Sequence, residues 1–321
     1  MAIVAMRKII LYLLVLVAPV FLTAQDDFYP PESFYGGGVG FSQMFLFSHV
    51  GQLTGFERLG TDSTADGSTV GLGLDVNGFA YPFVISGGEG FSNITERWRI
   101  GGYAGVGSSF IGGKPTITMF LDTDGNGEYD AGTDTTKLYE PSATTGNYAP
   151  DLQVKISMWV SGATIEYAFP LFRGLELSAG TLLGIGRLNL SITQTSGSPS
   201  WNDHFTSIYE FNADGYYGVT DANGDGDTTM ADLEYFESNL FPSIAISHGM
   251  SALTGTFLNV QPYLAMKLQV FDRMGLRMTV GYNLGTIGKG EWRTEDRKPI
   301  TDSPETGLSD LAIRAMIYLG L

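Results

Sequence analysis

The sequence contains no cysteine, which excludes disulfides, cysteine-ligated zinc, iron–sulfur clusters, cysteine nucleophiles and cysteine-linked lipid anchors. Charge is also sparse, because Asp, Glu, Lys and Arg make up only 16% of the 321 residues while apolar residues make up 43%. A disordered chain needs the opposite balance. Basic residues are few: 18 Lys and Arg face 34 Asp and Glu, giving a formal net charge of −16. No nucleic acid is therefore expected as a partner.

Catalytic signatures are scarce as well. There are only three histidines, His49, His204 and His248, and all are predicted to lie in loops or at strand ends. Neither an HExxH nor a GxSxG motif occurs. A triad cannot be inferred from sequence neighbours alone, so the chain is expected not to be an enzyme, and a hydrolase is the third alternative.

The N-terminal segment has the pattern of a secretory signal peptide. Arg7 and Lys8 precede an apolar run over 9–24, and the predicted cleavage lies between Ala24 and Gln25. A spanning helix needs roughly 20 apolar residues. The run is shorter and contains Pro19, which favours a signal peptide over 1–24 followed by one domain over 25–321.

Most of that domain alternates between apolar and mixed positions, which is the period of a β-strand. The predicted strands cover 35–47, 79–86, 98–110, 152–169, 175–193, 258–270, 276–284 and 311–321. In two of them the apolar face changes sides, near 161–162 and near 184–186. Bulges or glycine kinks are the predicted cause.

Connections between these strands alternate in length. The short ones cover 92–97, 170–174 and 271–275, and the long ones roughly 48–78, 111–151, 195–255 and 286–306. An all-β, up-and-down antiparallel barrel of about eight strands predicts this order, with tight turns at one rim and long loops at the other. Ten strands are possible if 111–151 forms its own hairpin. The competing fold is a soluble β-sandwich, which would require more charge on its strands.

The signal peptide, the alternating strands and the final strand 311–321 resemble those of the small outer-membrane β-barrel proteins of Gram-negative bacteria. These proteins usually end on an aromatic residue, whereas this chain ends on Leu321. The resemblance implies export, contact with the barrel assembly machinery, and insertion into the outer-membrane bilayer as a monomer with long loops outside the cell. Eight residues are candidates for interfacial aromatics, with Trp159 on the inward parity: Tyr35, Phe47, Trp98, Phe110, Trp159, Tyr167, Phe169 and Tyr282.

Charged side chains are predicted to line the interior of the barrel. The inward parity falls on Arg99, Lys155, Glu166, Glu176, Arg187, Lys267, Arg277 and Arg314. An eight-stranded barrel has room for little beyond its own side chains. A paired network that fills the lumen is therefore favoured over a gate. A pore, if present, would be narrow and anion-selective because bases outnumber acids.

The segment 221–232 has the ligand spacing of an EF-hand loop. Its predicted Ca²⁺ ligands occupy the alternating positions, with Gly226 at the sixth and Asp227 contributing its carbonyl: Asp221, Asn223, Asp225, Asp227, Thr229 and Asp232. A short helix over 233–240 is predicted to follow. Asp at the twelfth position followed by a helix resembles one half of a dockerin repeat. The second half is missing, so cohesin binding is not inferred.

A second acidic loop follows a weaker version of the same pattern, with Gly127 at the sixth position. Its candidate ligands are Asp122, Asp124, Asn126, Glu128 and Asp130, while Thr133 occupies the twelfth position and Asp134 comes one place late. Asp, Asn and Gly also form ordinary turns. The region 195–255 contains no Lys or Arg, however, and its carboxylates would repel one another without a cation.

Together these features predict a non-enzymatic outer-membrane barrel that displays calcium-stabilised loops in a structural or adhesive role, with a possible extracellular ligand. The alternative is a narrow channel or receptor for a small solute.

Overall fold

The computed structural model describes the barrel strands and most of the turns. The described residues are 37–53, 62–63, 69–70, 74–95, 97–115, 117–125, 130, 132–139, 150–172, 174–197, 200–201, 216–219, 221–239, 243–244, 252–271, 273–294, 296–301 and 303–320. Several predictions fall outside them: the signal peptide over 1–24, Tyr35, Asn126, Glu128, His204, His248 and Leu321.

Eight antiparallel strands form the main sheet: β1 Gly37–Leu46, β2 Phe83–Asn93, β3 Trp98–Gly113, β4 Asp151–Phe172, β5 Leu175–Ser196, β6 Ala252–Phe271, β7 Met274–Ile287 and β8 Asp310–Gly320. Each strand pairs with the next along the chain. The sheet closes because β1 pairs with β8, from Gly38 opposite Gly320 to Leu46 opposite Ala312. The predicted eight-stranded up-and-down barrel is confirmed.

The two ends of the barrel differ in their connections. The tight turns 94–97, 173–174 and 272–273 lie at one end, together with the start of β1 and the end of β8; we call this end the turn rim. The connections 47–82, 114–150, 197–251 and 288–309 lie at the other end, the loop rim. The strand bounds differ from prediction mainly in β2, which extends to Asn93, and in β6, which begins at Ala252.

Smaller elements belong to the loop-rim connections. Short strands at Arg293–Thr294 and Thr306–Gly307 pair with β6 and β7, and two-stranded sheets join Asp62–Ser63 to Thr69–Val70 and Ser200–Trp201 to Ser243–Ile244. Single 3₁₀ turns lie at Val50–Gln52 and Val76–Gly78. No helix among the described residues is both long enough and apolar enough to cross a membrane.

A separate three-stranded sheet joins two of the long connections. Ile117–Leu121 pairs antiparallel with Thr135–Tyr139 and parallel with Tyr216–Val219, and helix α1 follows at Met230–Asn239. We call these three strands, α1 and the two intervening acidic turns the loop module. The hairpin considered for 111–151 therefore forms, but in its own sheet, so the barrel keeps eight strands. The helix predicted for 233–240 begins three residues earlier.

The barrel wall inverts its polarity along one row of outward-facing residues. Trp159 on β4 is paired with Arg187 on β5, which is paired with Thr256 on β6. On the turn-rim side of this row the outward side chains are apolar, as at Ile185 and Leu258. On the loop-rim side the outward positions of β4 and β5 are polar, as at Lys155 and Asn189, and apolar side chains occupy the interior instead.

Apolar side chains fill the loop-rim half of the interior. Strand residues in this core include Leu46, Phe83, Ile111, Val154, Ile156, Leu188, Leu190, Leu253, Phe257 and Ile287. Residues from two of the loop-rim connections complete it: Leu74, Phe79, Trp292 and Ile300. The indole N–H of Trp292 donates to the hydroxyl of Thr306 at 3.2 Å, which satisfies the polar atom of the largest side chain in this core.

The predicted changes of strand parity near 161–162 and 184–186 were wrong. In both β4 and β5, even-numbered residues face inward from end to end, and the β4–β5 register shifts only at the strand ends. The apolar face changes sides because the surroundings change at the inversion row. Gly162 and Gly184 are paired there, and a Cβ on Gly184 would lie 2.2 Å from the Ser161 carbonyl oxygen. These glycines permit a close approach of two strands without a bulge.

We expect Leu190→Ala to lower the free energy of unfolding by about 3 kcal/mol, because Leu190 is fully buried in the loop-rim core and its truncation leaves a cavity. The matched control is Ser191→Ala, on the outward parity of the same strand, with an expected change within about 0.5 kcal/mol. Urea unfolding in detergent micelles measures both. Equal losses in the two variants would contradict the assigned inward face.

Candidate functional site

The loop module brings the two acidic turns side by side. Its strands Ile117–Leu121 and Tyr216–Val219 run parallel, with Leu121 opposite Val219. Asp122 and Asp221 follow almost directly after these paired residues. Both acidic turns therefore begin at the same end of the two parallel strands. Nothing in the spacing along the chain predicts this, since about a hundred residues separate the two turns.

In the second turn, Asp221, Asp225 and Asp232 each place a carboxylate oxygen within 4.8 Å of the others. Asp232 is buried, and its two oxygens accept hydrogen bonds from the backbone N–H groups of Asn223 at 3.1 Å and Thr229 at 2.7 Å. The bond from Thr229 lowers the pKa of the Asp232 carboxyl, because it favours the ionised form. These hydrogen bonds therefore favour the ionised form of Asp232, which is the buried carboxylate of the cluster.

The remaining predicted ligands of this turn shape its backbone. The Asn223 side-chain oxygen accepts from the N–H of Asp225 at 2.8 Å, and Asp225 accepts from the N–H of Asp227 at 2.9 Å. Gly226 donates its N–H to Asp221 at 3.1 Å and has a φ of 94°, a left-handed conformation that glycine adopts freely. The left-handed backbone at Gly226 gives a physical reason for a glycine at the sixth position of this turn.

The first turn is built on the same plan with a different third carboxylate. Asp122, Asp124 and Asp134 have carboxylate oxygens within 4.8 Å of one another. Asp134 accepts from the N–H groups of Thr123 at 3.0 Å and Asp130 at 2.8 Å, as Asp232 does in the second turn. The third carboxylate of this cluster is therefore Asp134, one place beyond the twelfth position. The spacing along the sequence had favoured Asp130.

Both clusters suit a hard divalent cation by the chemistry of their donors. Each combines three carboxylates with a tight, glycine-containing turn, and Ca²⁺ prefers six to eight oxygen ligands at such sites. In each, a buried Asp crosslinks the start and end of the turn. The other two carboxylates are exposed in the second turn, whereas in the first turn Asp122 is buried and only Asp124 is exposed. The ligand assignments themselves stay predictions.

A second concentration of charge lies inside the turn-rim half of the barrel. Arg277 forms ion pairs with Glu89 and with Glu166, the latter at 2.6 Å. Arg99 makes a two-pronged contact with Glu176, which also lies 3.5 Å from the Nζ of Lys267. These six groups and Arg314 come from β2 to β8, and Ser42 of β1 donates to Glu89 at 3.3 Å. Every strand of the barrel therefore contributes a polar group to one connected network.

Most of the predicted inward charges are confirmed: Arg99, Glu166, Glu176, Lys267, Arg277 and Arg314. Lys155 and Arg187 were wrong; both side chains are exposed on the outer wall, because their strands keep one parity. Trp159 likewise faces outward. Glu89 was missed, since the predicted strand ended at 86. Ile85 and Phe91 share the parity of Glu89, and this pattern could have predicted that Glu89 faces inward.

Of the three histidines the structure describes His49, which has a hydroxyl and a carboxyl group near it, on Ser48 and Asp310. His49 is exposed, and its ring stacks on Tyr81 at a centroid distance of 4.0 Å. Ser48 is its buried neighbour in sequence, which alone does not activate a nucleophile.

Comparisons with known proteins return small bacterial barrels of low similarity. The attachment invasion locus protein Ail of Yersinia pestis is 9% identical with a TM-score of 0.31, covering 88% of this chain and 95% of Ail. Neisserial surface protein A is 11% identical with a TM-score of 0.32, covering 89% and 99%. The outer membrane protein OprG from Pseudomonas aeruginosa is 8% identical with a TM-score of 0.32, covering 90% and 97%.

No protein-family model matches this chain, and no curated protein sequence matches it significantly. Similarity at this level assigns no role. What the fold and the candidate site define is a closed, eight-stranded barrel with an internal ion-pair network and an acidic loop module.

We expect Glu89→Gln to destabilise the barrel by about 3 kcal/mol, because it removes one of the two carboxylates that pair with fully buried Arg277. Glu305→Gln, an exposed residue of a loop-rim connection, is the control and is expected to change stability little. The midpoint of heat-induced loss of the compact band on SDS gels compares the two. Equal midpoints would mean that the network contributes no stability.

Proposed function

We propose that this chain is an outer-membrane barrel of a Gram-negative bacterium that displays a calcium-ordered loop module on the cell surface, in a structural or adhesive role. The loop module carries the proposal. Two long connections, far apart in sequence, pair through the parallel strands Ile117–Leu121 and Tyr216–Val219 and hold two acidic turns at one edge. Two connections folded together outside the barrel suit display better than transport.

The outer wall supports placement in a bilayer. Exposed apolar side chains form a belt on the turn-rim side of the inversion row, including Phe41, Ile100, Val106, Ile165, Leu183, Ile185, Leu258, Val260, Leu264, Val280, Leu284, Ile317 and Leu319. A closed barrel satisfies its backbone hydrogen bonds internally, as lipid requires. On β6 the belt runs from Leu258 to Val270, which corresponds to roughly 28 Å when a strand tilts by about 45°.

Aromatic side chains mark the turn-rim edge of this belt. The Tyr167 ring lies 5.2 Å from Trp98 and 4.9 Å from Phe169, and its hydroxyl accepts from Arg97 at 2.9 Å. Aromatic rings with a polar contact favour the water–lipid interface. The turn rim then faces the periplasm and the loop rim the outside, consistent with export through a signal peptide and with folding by the barrel assembly machinery as a monomer.

The alternatives have less support. A channel needs an open lumen, whereas the loop-rim half of the interior is packed with apolar side chains and the turn-rim half is crossed by ion pairs. A hydrolase needs a histidine hydrogen-bonded to a nucleophile or an acid. The His49 ring stacks on Tyr81 instead, and no hydrogen bond joins it to the nearby Ser48 or Asp310. We therefore infer a non-enzymatic protein that does not conduct in this conformation, and a ligand for the loops is left open.

Single-cysteine labelling tests the position of the bilayer, because the native chain offers no competing thiol. In protein reconstituted into vesicles, we expect Leu258→Cys to resist a water-soluble maleimide and Ser157→Cys to react. Both residues face outward, but they lie on opposite sides of the inversion row. Equal reactivity of the two thiols would contradict the proposed belt.

Calcium titration tests the loop module. After chelator treatment we expect the protein to bind two Ca²⁺ ions, each with a dissociation constant of roughly 0.1–1 mM. Asp232→Ala should remove one of them by deleting the buried carboxylate of the second turn. Asp75→Asn, an exposed acid whose oxygen caps the N–H of Asn77, should bind like the native protein.

Proteolysis provides the structural readout of the same experiment. Because 195–255 contains no Lys or Arg, chymotrypsin is the suitable protease. We expect calcium to protect the native loop module and to protect Asp232→Ala less. Absence of uptake, or cleavage unaffected by chelator, would contradict the calcium-ordered module and would leave the barrel assignment intact.

A further inference from the structure

Arg314 is the one interior cation of the described barrel without a hydrogen-bonded partner. Its side chain is 1% exposed, yet none of its three guanidinium nitrogens makes a hydrogen bond to a described residue. Its nearest carboxylate oxygen, on Glu89, lies 3.5 Å from Nη1. The guanidinium packs instead against the rings of Tyr103 and Tyr263, with its Cζ 5.3 and 5.0 Å from the ring centroids.

Each interior carboxylate pairs with a cation other than Arg314. Glu89 pairs with Arg277 and accepts from Ser42. Glu166 pairs with Arg277 and accepts from Ser178 at 3.2 Å, and Glu176 is shared between Arg99 and Lys267. Of these three, only Glu89 approaches Arg314, at 3.5 Å, while the Glu166 oxygen that makes no hydrogen bond lies 3.8 Å from Arg99.

The charges of the described interior do not balance. Four cations face inward, namely Arg99, Lys267, Arg277 and Arg314, against the three carboxylates Glu89, Glu166 and Glu176. An unpaired charge in a low-dielectric interior is costly, and buried ions are therefore paired. Water can accept hydrogen bonds from a guanidinium, but it leaves the excess positive charge in place. The imbalance calls for one negative charge.

Further polar groups without partners lie on the inward faces of the two strands whose tyrosine rings contact Arg314. Both side-chain polar atoms of Gln261 and of Asn259 lack hydrogen bonds, as does the Tyr103 hydroxyl. Gln261 and Tyr263 project inward from β6 beside Gly281 of β7, where a Cβ would lie 2.8 Å from Tyr263 Cβ and 3.2 Å from Gln261 Cγ. Gly281 is paired with Ala312, two residues from Arg314 on the same face of β8. Amide and hydroxyl donors thus lie on β3 and β6, the two strands whose tyrosine rings contact the Arg314 guanidinium.

We propose that the barrel holds one small monovalent inorganic anion of the halide class beside Arg314, at the boundary between the loop-rim core and the ion-pair network. The guanidinium supplies the charge and several N–H donors, and the amide of Gln261 adds a neutral donor. The site is small because Met44 and Ile85 occupy the neighbouring inward positions in register with Arg314. This inference depends only on the barrel interior and is independent of the loop module.

Crystals of the folded protein grown with bromide in place of chloride test the site directly. We expect an anomalous difference peak within hydrogen-bond distance of the Arg314 guanidinium. The matched variant Arg314→Met leaves three cations and three carboxylates, so it is expected to fold and to lack the peak. Arg187→Met, which removes an exposed arginine from the outer wall, should retain it. Ordered water without an anomalous peak would overturn the proposal.

A stability measurement gives an independent readout. The protein is refolded separately in sodium chloride and in sodium gluconate of equal ionic strength, because a buried site exchanges slowly. We expect the thermal midpoint of native protein and of Arg187→Met to rise by about 2–4 °C for each tenfold increase in chloride above the dissociation constant, and that of Arg314→Met to stay constant. Gln261→Leu should weaken the response. The same chloride response in Arg314→Met and Arg187→Met would refute the anion site.

Discussion

The constraint on which this structure depends is that a β-strand cannot change the side to which its residues point without a bulge. β4 and β5 are each 22 residues long, about twice the 9–11 residues that cross a bilayer. Their inward parity never changes. The chain therefore adapts to its surroundings by composition, placing apolar side chains outside on one side of the row Trp159, Arg187 and Thr256 and inside on the other.

This inversion divides the interior into two halves, which are stabilised by different interactions. On the loop-rim side of the row, where the outer wall is polar, an apolar core holds the strands together and includes Trp292 and Phe79 from the connecting loops. On the turn-rim side of the row, the apolar side chains face outward, so polar groups fill the interior. Buried polar groups have to find partners. The network from Ser42 to Arg314 is the result, and each of the eight strands contributes to it.

The sequence was sufficient for the strand order and the alternation of turns and loops, because period-two patterns and glycine-rich turns are local signals. It also placed six of the interior charges correctly. Lys155 and Arg187 were misplaced for one reason: the apolar face was taken to be the outer face throughout, which holds only while a strand lies in the belt. Which half of a strand extends past the belt depends on the neighbouring strands, and no single strand encodes it.

The acidic turns illustrate the same limit. Their ligand spacing is local and was visible, including the glycine required at position 226, but the partnership of the two turns depends on a parallel pairing across about a hundred residues. That pairing has a physical consequence. Among the described residues, Tyr216–Val219 pairs only with Ile117–Leu121, at the edge of the hairpin formed by the other connection. Order in the second turn therefore requires order in the first, and carboxylates gathered at one edge repel each other unless a cation offsets them. We expect a module built in this way to fold as a unit and to gain stability from a cation that offsets its carboxylates, as the buried ion pairs do for the barrel interior.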